Sequence, residues 1–191
     1  MIPTSIRIRL ASAVTALTLL ATGTASAAAA SEATPRNVLS AAVSDFIQPG
    51  YRTFWNKAEA MGAAITPLCE APSARGLEVA REAFAELVTA WSEIEIIRFG
   101  PVIQENRMER ILFFPDRRGI GLRQIQQVLA EKDETATTPE RLADKSVALQ
   151  GLTTLEYLLY GTGAEDLAAG DEFRCDFAGS VAARIYATAG E

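Results

Sequence analysis

Histidine is absent from this 191-residue chain, and its absence excludes more chemistry than any single residue present suggests. No Ser-His-Asp or Cys-His arrangement can form within it. A His-rich zinc site, including the HExxH helix, is excluded as well. Any metal held by this chain takes oxygen ligands or one of the two cysteines, and oxygen donors favour hard cations such as ferric iron, manganese, calcium or magnesium. Aromatic residues are scarce, at 7%. β-Branched residues nowhere alternate for long with polar ones, so the signature of strands is missing, whereas Ala, Leu, Glu and Arg are plentiful. That balance favours an all-helical fold. No basic tract follows the N-terminal region, and the formal charge is −6 from 18 basic and 24 acidic residues, which argues against nucleic acid as a partner.

Long apolar runs are also lacking, apart from one at the start. Arg7 and Arg9 precede an apolar segment from Leu10 to Leu20, and Ala25-Ser26-Ala27 supplies a small-x-small cleavage pattern. Residues 1–27 therefore read as a secretory signal. The run is too short and too rich in Ala, Ser and Thr for a membrane span, and no Cys follows it to carry a lipid. Without Arg7 and Arg9 the balance is 16 basic against 24 acidic residues. The expected product is an exported, acidic, soluble protein, periplasmic or secreted, with no transmembrane segment in the mature chain. Residues 28–35 form a small-residue linker, and residues 36–191 one helical domain long enough to bury a core. Cys69 and Cys175 are the only cysteines. In an oxidising compartment a disulfide between them is the economical reading, with two buried free thiols as the alternative.

Helical periodicity runs through most of the domain. One pattern from Arg36 places Val38, Leu39, Ala42, Val43 and Phe46 on one side, is interrupted at Pro49-Gly50, and continues to a turn from Pro67 to Pro72. Ser73 is a fitting N-cap for a helix reaching about Phe99, whose buried side is Val79, Phe84, Leu87, Val88, Trp91, Ile94 and Ile97. Gly100-Pro101 stops it. Ile111 to Phe114 is an apolar run too short to assign. Asp116 is a fair cap for the helix carrying Ile120, Leu122, Ile125, Val128 and Leu129. Thr138-Pro139 opens a long central helix closed by Gly161 and Gly163, and a last helix spans 171–189. The expected architecture is an antiparallel helical bundle with connections of ordinary length.

The central helix carries the one departure from pattern. Wound at about 100° per residue, it gathers Leu142, Ala148, Leu149, Leu152, Leu155 and Leu159 on one arc, and Glu156 falls inside that arc. A carboxylate buried there must be paired, hydrogen-bonded or neutralised. Two readings stand: a structural acid bridged to an Arg of another helix, or a ligand-binding carboxylate. Thr153 and Tyr160 flank it at helical spacing, and Tyr157 and Tyr160 offer phenolate oxygens. Arg98, before the Gly-Pro break, either clamps an anion, pairs with Glu156, or caps a helix C-terminus. Asp116 with Arg117 and Arg118 forms either a functional loop or a cap with surface charge. Glu93 and Glu95 are either oxygen ligands or a solvated face.

Four patches together resemble the imelysin family of exported bacterial proteins. They are Trp91 with Arg98-Phe99-Gly100-Pro101, then Phe113-Phe114-Pro115-Asp116-Arg117-Arg118-Gly119, then the stretch from Gln150 to Gly161, and Phe173-Arg174-Cys175. The resemblance implies an all-α fold of two helical-bundle halves and a site at a Gly-x-His-x-x-Glu signature. It also implies either a role in periplasmic iron uptake, with a metal ion or uptake components of the periplasm or outer membrane as partners, or a metallopeptidase-like hydrolysis. Gly151 and Glu156 match the signature, but Thr153 stands in place of the His, and a threonine hydroxyl neither ligates a metal well nor acts as a base near neutrality. The family domain is longer; this chain stops at Glu191 within a continuing helical pattern, as a fragment or as a reduced form with the first bundle and part of the second. The sequence thus points to a binding protein for iron or another hard metal ion, with Glu156 as the main ligand and Thr153, Arg98 and Asp116 around it. The alternatives are a hydrolase with Glu156 as its base, and a structural or interaction module whose site has decayed.

Overall fold

The computed structural model describes residues 34–191. The expected signal, residues 1–27, and most of the linker lie outside them. Residues 35–191 form one compact unit, and the described residues contain helices and no strands. None of these helices is long and apolar enough to cross a membrane.

Helix α1 (Pro35–Ala41) runs through a π-helical segment, Ala42–Ile47, into α2 (Gln48–Glu70). The helix is not split at Pro49-Gly50, but its α-helical geometry is interrupted just before them by that π-helical segment. Pro49 stands in the first turn of α2, directly after the π-helical segment. Pro67 likewise sits inside α2 rather than in a turn, and the helix carries Cys69 on its last turn. α3 (Ala74–Ile94) begins at Ser73, whose hydroxyl accepts the Gly76 N–H at 3.1 Å. It ends at Ile94, a turn and a half short of Phe99, and Val79 and Val88 fall on its exposed side. The short link makes α2 and α3 antiparallel.

α9 (Glu172–Gly190) completes the main layer against α2. Its direction follows from two contacts. Cys175 in its first turn is bonded to Cys69 at the end of α2, with Cα atoms 5.6 Å apart, and Tyr186 near its end stacks on Trp55 near the start of α2 at 5.5 Å. The pair is antiparallel, and the expected disulfide is formed. Phe54, Met61, Leu68, Leu87, Ile94 and Phe177 are buried among these helices. They share one core with Leu155, Leu158 and Leu159 from the central segment.

That central segment is not one helix. α6 (Pro139–Ala143) stops, a 3-10 turn spans Val147–Leu149, and only then does α7 (Leu152–Tyr160) begin. Side chains compete with the helix here. The buried Gln150 amide donates to the carbonyls of Ala143 at 3.2 Å and Lys145 at 2.8 Å, and Ser146 Oγ accepts the Ala148 N–H. α4 (Arg107–Ile111), α5 (Ile120–Glu131) and α8 (Asp166–Ala169) fill the remaining sides. The run from Leu112 to Phe114 is neither helix nor strand: the Phe114 N–H turns back to Leu112 O at 3.0 Å, and a cis bond follows at Phe114–Pro115.

A loop after α5 is pinned by Lys145 Nζ on Asp133 Oδ2 at 2.6 Å, with Thr135 donating its N–H and hydroxyl to Oδ1. The Lys145 hydrogen bond, followed by those of Thr135, holds the Asp133 carboxyl well below the usual carboxylate range. A depressed folded-state pKa contributes stability above the unfolded value of about 4 and loses it as pH falls further. Asp133→Asn should therefore lower stability at pH 7, with a deficit that shrinks progressively as pH falls below about 4, read by urea unfolding in steps from pH 7 down to about pH 2. Replacing both Cys69 and Cys175 by Ser opens a closure spanning 106 residues and should cost about 2–4 kcal/mol. Calorimetry of the variant against the oxidised protein checks it.

Candidate functional site

α7 has nine residues, too few to be stable alone in water, so its position is set by what grips it. At its start Gly151 lies against the end of α4. A Cβ built there would run into the carbonyl oxygens of Arg110 and Ile111. At its end two arginines from different helices take up its free carbonyls. Arg81 Nε donates to Leu159 O at 2.9 Å, and the buried Arg174 donates to Leu158 O at 3.4 Å and Thr162 O at 3.1 Å. Cations at a helix C-terminus also oppose its dipole favourably. Arg81 lies over the Tyr160 ring, 5.1 Å from its centre, and the Tyr160 hydroxyl donates back to Arg81 O at 3.1 Å.

The packed side of α7 consists of Leu152, Thr154, Leu155, Leu158 and Leu159. Thr154 is fully enclosed and donates its hydroxyl to Ala148 O at 3.0 Å. Thr153, Glu156, Tyr157 and Tyr160 occupy the other side. The expectation of a buried Glu156 is therefore overturned: it is exposed and makes no hydrogen bond or ion pair among the described residues. The arc drawn through Leu142, Ala148 and Leu149 assumed one continuous helix, and the break before Leu152 removes that phase relation. Wound by itself, α7 places Glu156 at the edge of its leucine arc, next to Leu152 in angle, rather than inside it.

Thr153 and Glu156 do come together, at the wall of an open cleft of about 340 Å³ between α5 and α7. Leu122 and Ile125 face them from α5, with Tyr157, Tyr160 and Gly161 completing the lining. Burial raises the Tyr160 hydroxyl's pKa; the nearby Arg81 cation opposes this and the charges of Glu78 and Glu156 add to it. Tyr157 Oη accepts a long hydrogen bond from Gln126 at 3.4 Å.

The other candidates lie elsewhere. Asp116 is occupied in structure: Oδ1 accepts the Ile120 N–H at 2.7 Å, and Oδ2 accepts those of Gly121 and Leu122 at 2.9 and 3.3 Å. It caps α5, as its position suggested, and leaves little lone-pair capacity for a ligand. Arg98 is exposed beyond the end of α3; it neither caps that helix nor reaches Glu156 through any hydrogen bond or ion pair. Among the described residues no group of three or more His, Cys, Asp or Glu is placed to hold a metal ion. One free carboxylate, a threonine and two engaged phenols do not amount to the six or so oxygen ligands of a hard cation. The donor set does not fit a resident metal.

Sequence reading passed over the residues that hold α7. Arg174 falls within one of the family-like patches, but Arg81 and Gln150 have no local signal, because their partners are carbonyls remote in sequence or hidden in a turn. The Gln150 side chain also accepts from Arg184 at 3.4 Å.

The model of a family described as imelysin, peptidase M75, matches residues 47–191. Among solved structures, the crystal structure of an imelysin-like protein from Psychrobacter arcticum 273-4 is similar, with a TM-score of 0.64 and 23% identity over 81% of this chain. This chain spans 49% of the length of that one. No curated protein matches. The structural likeness supports the helical fold.

Gly151→Ala tests the structural role of the first signature position. The added methyl meets backbone that cannot step aside, and overpacking of this kind costs about 1–3 kcal/mol. Thermal unfolding should show that loss, whereas Thr153→Ala on the cleft side should leave the melting temperature nearly unchanged.

Proposed function

Since the chain belongs to the imelysin family, matched over residues 47–191, we propose that it is an exported binding protein of that type, serving the uptake of iron or another hard metal ion as cargo. The observation that supports this reading is the state of Glu156. Its carboxylate is exposed and unpaired at the edge of a cleft, beside Thr153, in the position of the family signature. A carboxylate with a structural task is engaged, as those of Asp116 and Asp133 are. Glu156 is held by nothing and is open to an ion that arrives with water or a chelator as its remaining ligands. The disulfide fits an oxidising compartment such as the periplasm, and the leader-like N-terminal sequence supports export.

Hydrolysis has weaker support. A general base works within hydrogen-bond reach of a positioned substrate, and Glu156 stands exposed at the edge of an open cleft. With no His in the chain, the cleft has no imidazole to share in activating water. The reading of Glu156 as one half of a buried structural ion pair is likewise unsupported.

Thermal-shift measurements on the purified protein with ferric, ferrous, manganese, calcium and zinc ions test the proposal, each beside Glu156→Gln. A ligand that binds only the native state raises its melting temperature by mass action. A rise with a hard cation in the wild type and a smaller one in Glu156→Gln is expected, with equal melting temperatures in the absence of metal. Equal shifts in both proteins would move the site away from α7.

A further inference from the structure

An apolar hollow lies apart from the Thr153–Glu156 cleft, with no lining residue in common. It encloses about 570 Å³ and is walled by Val43, Ile47 and Tyr51 from the first helical stretch and by Phe99, Val102 and Ile111 from the α3–α4 region. That volume lies within the range of small-molecule pockets, which combine apolar walls with a few polar groups that fix orientation. Phe99 is 60% exposed at its rim. The Tyr51 hydroxyl at its wall is shielded from solvent without a hydrogen-bond partner, and burial raises its pKa.

One corner is charged. Arg107 and Glu191 both line the hollow. Glu191 Oε2 accepts from Arg107 Nε at 2.7 Å and from Arg110 Nη2 at 2.9 Å. A third cation, Arg184, lies close enough that the charge of Arg110, after burial, lowers its pKa, with Glu191 and Glu140 opposing. Arg110 Nε and Arg184 Nε are buried without partners. Burial disfavours the charge on Glu191, but the hydrogen bonds and charges of Arg110 and Arg107 outweigh it and hold the carboxyl below the usual range. The corner thus binds a carboxylate already and has donors left over. Arginine forks suit carboxylates in this way.

We propose that this hollow is a binding site for an amphipathic organic carboxylate, with the apolar body among Val43, Tyr51, Phe99 and Val102 and the carboxylate on Arg107 and Arg110. Glu191 is then an internal competitor: its side chain holds the arginines when the hollow is empty and swings away when a ligand enters. The site is independent of the Thr153–Glu156 cleft and of any metal.

Calorimetric titration of the purified, oxidised protein with sodium decanoate, below its micelle concentration, tests this beside 1-decanol and decyltrimethylammonium, which share the tail and differ in the head. Decanoate should bind once per chain, decanol much more weakly, and the ammonium not at all. Arg107→Gln should weaken decanoate by roughly tenfold or more, the size of one lost charge-assisted hydrogen bond, with decanol unaffected. Glu191→Gln should strengthen it, an outcome that a purely structural ion pair does not produce. Circular dichroism and melting temperature confirm that both variants are folded. Equal binding of all three compounds, no decanoate binding in either wild type or Glu191→Gln, or weaker binding in Glu191→Gln would overturn the proposal. So would a chain–chain dimer that Phe99→Asp dissociates, with no decanoate uptake, since a second copy would then be the occupant.

Discussion

The grip on α7 is the constraint on which this structure depends. A nine-residue helix has no stability of its own to speak of, yet it carries the leucines that join the short C-terminal elements to the α2–α3–α9 layer. It is fixed at both ends by backbone contacts. Gly151 lets its first turn approach the carbonyls that end α4, and Arg81 and Arg174 take up the carbonyls that end α7. Each arginine arrives from a different main helix, so α3 and α9 are tied to one another through the shorter helix between them. The disulfide performs a similar service at the same end of α9, one residue beyond Arg174, joining it to α2.

This arrangement divides the family-like signature into two physical tasks. Gly151 is needed because nothing larger fits, whatever chemistry the protein performs. Glu156 is needed for nothing in the fold: it is exposed, unpaired and on the side of α7 away from the core. A position retained for packing and one open to a ligand can therefore stand five residues apart in one motif. Thr153 belongs with Glu156 at the cleft wall, so the exchange of His for Thr leaves the packing of α7 untouched and alters only what the cleft can offer. A threonine hydroxyl supplies a hydrogen bond where an imidazole would supply a metal ligand or a base.

Much of the fold was legible in the sequence because it rests on local signals. Ser73 and Asp116 cap helices through their own side chains, and caps are read from a few adjacent residues. The all-helical class followed from composition, and the disulfide from there being two cysteines and an export-like leader. What misled was the assumption that periodicity persists. Between Leu142 and Leu152 the apolar spacing looks helical, but Gln150 and Ser146 satisfy backbone groups in turns instead, and Glu156 was assigned to the wrong face as a result. Exposed Val79 and Val88 show the same limit on α3: a stripe in sequence is wider than the strip a neighbouring helix covers.

Contacts far apart in sequence left no trace of this kind. Arg107 and Arg110 meet Glu191 across some eighty positions, and no spacing rule links them. Their geometry nevertheless separates them from ordinary surface pairs. Lys57–Glu86 and Arg75–Glu82 lie largely in solvent, where an ion pair contributes little and any anion in the buffer can compete. The side chains of Arg107 and Arg110 are each only 13% exposed, and an arginine withdrawn from water requires an anion more strongly than a solvated one does. Glu191 supplies that anion while joined to the chain by single bonds that can rotate. Partial burial, a counterion that can be displaced and an adjoining apolar hollow are what a binding site for an amphipathic anion requires, and here they occur at one corner of the bundle, apart from the Thr153–Glu156 cleft.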